Sequence, residues 1–228
     1  MMKFLPEALR SRHFKIYFIG NIFSYHAVQI FIFAESWIVH ELNKTPEALG
    51  MLGLYASLPT IIFNVFGGAV ADRFNKKLLV SISQILQAII FIIFAYSYAN
   101  GHLEYWHVYI FAAIGGAGGA FELPARMSYY PLLITKDAMP SAVAMNSLTW
   151  QGTRVIAPAI AGILIAFFGA TPTLLVCCFG FLLMIVFLNM IKVDIPFKNK
   201  EGNPFQDIIN GLKFIYKNKL FLTLIGFS

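Results

Sequence analysis

The sequence predicts an all-α membrane protein built on six helices that each cross a bilayer. Three observations carry that prediction. The 228 residues are 58% hydrophobic and only 12% charged, too little charge to cover a soluble domain of this length. The apolar residues fall in six long runs, and about 20 such residues at roughly 1.5 Å each span the hydrocarbon. The basic residues collect in alternate connectors, the pattern that sets orientation in a bilayer.

The first predicted span covers 16–40, behind a basic arm holding Lys3, Arg10, Arg12 and Lys15. Its apolar run is too long for a signal peptide and has no small-x-small cleavage site, so it reads as an uncleaved helix. The second (48–71) and third (78–99) carry no charged residue and are joined by a short loop crowded with charge. The fourth covers 105–123. The fifth (142–168) and sixth (173–191) share one long run broken at Gly169 to Pro172. With the N-terminus in the cytoplasm, 15 of the 17 Lys and Arg residues lie inside. Lys44 alone lies outside, and Arg154 falls within the fifth span.

Residues 192–219 are different, mixed and charged, with Pro196, Gly202 and Pro204 as breakers. Asn203 is placed to cap a helix over 204–216 whose Phe205, Ile208, Ile209, Leu212 and Ile215 share one face, an amphipathic helix lying on the membrane surface. Another apolar run begins at Leu220, and its nine residues to Ser228 reach about 14 Å, so they read as the start of a truncated seventh span. The expected organisation is therefore a six-helix unit over 1–192, a cytoplasmic linker over 193–219, and 220–228 as that start.

The net charge of +6 does not mark a nucleic-acid partner, because the basic residues form no single patch. Cys177 and Cys178, adjacent in the sixth span, read as small apolar filler rather than a disulfide or metal pair. The glycines at 115, 116, 118 and 119 form a Gly-x3-Gly packing face. No nucleophile elbow, metal-ligand spacing or nucleotide-binding loop occurs, so neither an enzyme nor a cofactor is expected.

Ionisable groups inside spans cost about 2.5–3.5 kcal/mol each and therefore need a reason. Glu35 lies in the outer part of the first span among Phe31, Phe33 and Trp37. It is either a proton or cation carrier or a glutamate solvated at the outer interface. Arg154, near the middle of the fifth span, either pairs with Glu122 or Glu35, or receives an anionic substrate or governs proton release. Glu122 lies one turn before Arg126 and reads as part of a structural latch. His26, with Tyr25 and Gln29, makes a polar stripe on the first span, where the ring either titrates or is a hydrogen-bonded core histidine. In the charged loop, Gly68 permits close helix approach, Asp72 can cap the next helix or pair with an arginine, and Arg73, Lys76 and Lys77 hold the loop inside.

Gly68, Asp72, Arg73, Lys76 and Lys77 together resemble the loop signature of the major facilitator superfamily. Asn75 stands where that family prefers glycine, and asparagine also tolerates a left-handed backbone. Further runs narrow the resemblance: Phe121 to Arg126, Tyr130 to Leu133, Ala142 with Met145 to Ser147, and Trp37 to Leu42. They are similar to the branch holding siderophore exporters, macrolide efflux pumps and transmembrane secretion effectors. Pro158 and Gly162 match its antiporter signature, with Ala157 in place of the usual glycine.

The resemblance implies two six-helix halves around a central cavity, each a 3+3 inverted repeat, of which this chain supplies the N-terminal one. It also implies an Arg126–Asp72 pair holding the outward-facing state. The expected protein is a secondary transporter of the bacterial inner membrane, exporting a small amphipathic molecule of the drug or siderophore class against protons. It would need the missing C-terminal half or its equivalent. The alternative is a non-transporting truncated remnant, or a structural membrane protein of the same fold.

Overall fold

The computed structural model describes residues 6–193, and among them the chain is helical with no strand. Six long helices follow in order: α1 (Arg12–Leu42), α2 (Pro46–Arg73), α3 (Lys76–Ala99), α4 (Tyr105–Tyr129), α5 (Met139–Phe168) and α6 (Ala170–Met190). All six are long and apolar enough to cross a membrane. The expected six membrane-crossing helices are thus present. The predicted surface helix over 204–216 and the seventh run from Leu220 lie outside the described residues.

Local chemistry explains the ends. Ser11 caps α1 by accepting from the Phe14 N–H, while its hydroxyl donates to the Leu133 carbonyl at 2.6 Å. Asn75 caps α3 through its side-chain oxygen, which accepts from the Leu78 N–H. Its φ of −60° is not left-handed, so this residue serves as a cap rather than a substitute turn glycine, and it takes the capping role expected of Asp72. Gly169, at φ 85°, is the whole break between α5 and α6. Pro172 falls in the first turn of α6, where its missing N–H leaves no bond unmade. The predicted end of the fourth span at residue 123 was too early: α4 runs through Pro124 to Tyr129.

The helices pack as α1 on α6 and α5, α2 on α4, and α3 on both α4 and α6. In lipid such contacts depend on close backbone approach at small residues. A Cβ on Gly67 would collide with the Ala120 carbonyl oxygen, and one on Gly116 with that of Ala56. Ala120 is also the residue whose carbonyl would have accepted from position 124, where proline has no N–H. Gly68, the motif glycine, has nothing within 4 Å of such an atom, and neither do Gly115, Gly118 and Gly119. Close approach between α2 and α4 therefore belongs to Gly67 and Gly116, and between α1 and α6 to Gly20 and Gly180.

Two apolar clusters divide the interior. One gathers Phe14, Tyr17, Val80, Ala125, Tyr129, Met184 and Leu188 at the end carrying the N-terminal arm and the α2–α3 loop. The other gathers Phe31, Ile38, Phe91, Phe94, Val108, Leu174 and Phe181 toward the opposite end. Phe31 stacks on Phe91 with ring centroids 3.5 Å apart.

Candidate functional site

Between the two clusters lies a buried polar layer drawn from four helices. Glu122 on α4 is its centre. Its Oε1 accepts from Gln84 Nε2 at 2.8 Å and from Arg126 Nε at 2.5 Å, and its Oε2 accepts from Gln87 Nε2. The rest of the Arg126 guanidinium reaches α1, donating to Asn21 Oδ1 and, at 2.6 Å, to Ser24 Oγ. Ser24 in turn donates to Gln84 Oε1 at 2.9 Å. Asn21 donates to Asn146 Oδ1 on α5 at 3.1 Å. Arg126 also lies over the Tyr25 ring at 5.1 Å, and Tyr25 meets Trp150 edge-on.

The spacing makes this layer possible. Glu122 and Arg126 are four apart on one helix face, and Gln84 and Gln87 are three apart on α3, so both amides point at one carboxylate. A buried ion pair holds only if the remaining groups find partners, and here both carboxylate oxygens and all three guanidinium nitrogens do. Chemically, the layer ties α1, α3, α4 and α5 together.

The three guanidinium nitrogens of Arg126 go to Glu122, Asn21 and Ser24, and the expected Asp72 is not among these partners. Arg126 is 3% exposed and bridges to Glu122, whereas Asp72 is exposed near the end of α2. Among the loop residues, Lys77 donates to the Ile191 carbonyl at 2.8 Å, fastening the start of α3 to the end of α6. Arg73 and Lys76 are half-buried beside it in sequence.

Glu35 is as buried as Glu122, but its Oε1 has no hydrogen-bond partner. Its neighbours Ala34, Ile38 and Val39 are fully buried. His26 is half-buried and donates from Nδ1 to the Ile22 carbonyl one turn back, at 2.8 Å. Arg154 meets neither Glu122 nor Glu35: it is exposed on α5, and among the described residues it makes no ion pair or hydrogen bond. Pro158 and Gly162 lie within α5, half-buried, with Ala157 fully buried between its neighbours.

Sequence reasoning did not single out Asn21, Ser24, Gln84 or Gln87 as site residues. The signal was present: two glutamines three apart are polar residues in a run that otherwise has no reason to hold them. Counting charges passes over such residues because amides are neutral.

The family model described as "Transmembrane secretion effector" matches residues 5–221. Among curated proteins, the chain is 28% identical over 205 residues to the Staphyloferrin A transporter of Staphylococcus aureus, which covers 85% of this chain and 51% of that protein. It is 26% identical to the uncharacterised MFS-type transporter YfiS of Bacillus subtilis, covering 80% of this chain and 44% of that protein. It is 21% identical to the Multidrug efflux pump Tap of Mycolicibacterium fortuitum, covering 86% and 50%. The chain thus spans about half the length of the curated relatives it matches. No solved structure matches.

Proposed function

Because the chain belongs to the transmembrane secretion effector family of major facilitator transporters, we propose that it forms one wall of a proton-driven exporter. The cargo is a small amphipathic molecule of the drug or siderophore class, and the opposite wall is a second six-helix unit. The relatives' names supply the transport class, since they include a siderophore transporter and a multidrug efflux pump. One observation supports the coupling: Glu35 is a buried carboxyl inside a membrane helix, and among the described residues no group bonds its Oε1. Such a group is expensive in hydrocarbon unless it has work to do, and proton carriage is work that needs a carboxyl free of fixed partners. The basic connectors support a cytoplasmic N-terminus in the bacterial inner membrane.

Glu122 is assigned a structural role in this reading. Its three donors fix the carboxyl in place and tie α4 to α3, which suits it to joining helices.

The test is ethidium and siderophore accumulation in efflux-deficient cells with and without the full chain, together with Glu35→Gln. The expected result is lower accumulation with the chain, restored by a protonophore and by Glu35→Gln. Equal accumulation in all strains would leave a non-transporting membrane protein of the same fold. Export that survives Glu35→Gln would remove this carboxyl from the coupling.

A further inference from the structure

Resting on the transport reading above, we propose that the groove between α1 and α5 at Arg154 binds a carboxylate of the transported molecule. The transported class is thereby narrowed to amphipathic acids. Asn21 bonds Asn146 and Tyr25 meets Trp150, so α1 and α5 run parallel with residue i beside residue i + 125. Further along, Phe33 of α1 comes within contact of the space above Gly162 of α5. Continuing the register places His26 level with Gln151 and Gln29 level with Arg154.

Helical spacing puts these groups on facing stripes. Ile22, His26, Gln29 and Phe33 recur at i, i+4, i+7 and i+11 on α1, and all four are half-buried. Gln151, Arg154, Pro158 and Gly162 share one face of α5 by the same spacing, and Gln151 and Arg154 are exposed. Phe33 Cζ comes 4.0 Å from where a Cβ on Gly162 would stand, one turn beyond the i + 125 register, so the two stripes face each other.

Depth makes the arginine informative. Arg154 has 15 residues of α5 before it and 14 after, which at about 1.5 Å each puts both ends roughly 21 Å away. The hydrocarbon half-thickness is about 15 Å, and snorkelling to the headgroups serves residues near helix ends, not at the centre. Among the described residues no protein anion neutralises the guanidinium. Glu122 belongs to Arg126, and Glu35 lies six residues past Gln29 on α1, about 9 Å further along. Pro158 adds a second polar group at the same depth, because it has no N–H to donate to the Arg154 carbonyl. A guanidinium fork matches a carboxylate bidentately, the Gln29 and Gln151 amides can donate beside it, and Phe33 and Trp150 supply apolar wall. That combination suits an acid with a hydrophobic body.

The experiment uses the full chain in lipid nanodiscs and ligand-observed saturation-transfer NMR, with empty nanodiscs subtracted. The probes are 2-naphthoate and its neutral isostere 2-naphthamide. Naphthoate should bind at least tenfold more tightly than naphthamide. Arg154→Gln should remove that preference without weakening naphthamide, and Arg154→Lys should retain part of it, as a point charge without the fork. Should Arg154→Gln fail to fold, Gln151→Leu gives the second reading, with naphthoate binding weakened about threefold. Equal binding of the two probes, or a preference untouched by these substitutions, overturns the proposal. Export that persists without the preference sinks this inference alone; a preference in a chain that exports nothing sinks the transport reading and leaves the anion site standing.

Discussion

Glu122 and Glu35 are equally buried, at 6% and 5% exposed, yet Glu122 accepts three hydrogen bonds while Glu35 leaves one oxygen with none. The first sits in a polar layer drawn from four helices; the second sits beside fully buried Ala34 and Ile38. The difference teaches that burial alone does not assign a role to a carboxyl in a membrane helix. Number of partners does. A saturated carboxylate is part of the architecture, whereas an unsatisfied one is held at a cost that function must explain.

The largest effect in this comparison is expected at Arg126. Arg126→Ala removes the cation and strands Glu122, and breaking a buried pair from one side costs about 3–5 kcal/mol. Thermal unfolding in detergent should show that loss, and Glu122→Gln combined with Arg126→Gln should recover much of it. A double variant as unstable as the single one would mean the layer contributes through packing rather than charge.

A smaller effect separates the two adjacent glycines of α2. Gly67→Ala drives a methyl into the Ala120 carbonyl, where overpacking costs about 1–3 kcal/mol. Gly68→Ala meets open space and should melt within about 0.5 kcal/mol of the native chain. If the order were reversed, the α2–α4 packing described above would be wrong.

Much of this molecule was legible in its residues. Every predicted span overlaps a helix, and the ends differ by a few residues where polar groups extend a helix past the hydrocarbon, as Arg12 and Arg73 do. The fourth span was cut short at Pro124 because proline usually ends a helix. Here α4 continues through Pro124 to Tyr129, with the Ala120 carbonyl packed against α2 at Gly67. The polar layer was half legible: Glu122 and Arg126 announce themselves by charge and spacing, but their α1 and α3 partners are neutral and lie about 35 to 105 residues away in sequence. Motif reasoning pointed to Gly68 and to an Asp72–Arg126 pair, whereas three-dimensional packing uses Gly67 and Glu122. A loop signature records which residues recur, not which atoms touch.

The smallest predicted effect is also the most telling. Glu35→Gln and Glu122→Gln make the same substitution at equally buried positions, and their melting temperatures can be read side by side on the full chain in one lipid. Glu122→Gln should destabilise clearly, because Arg126 loses its counter-charge, while Glu35→Gln should leave the melting point within about 0.5 kcal/mol of the native chain or raise it. Equal losses from both, or a larger loss at Glu35, would contradict the proposed division between a carboxyl that holds the bundle together and one that does not.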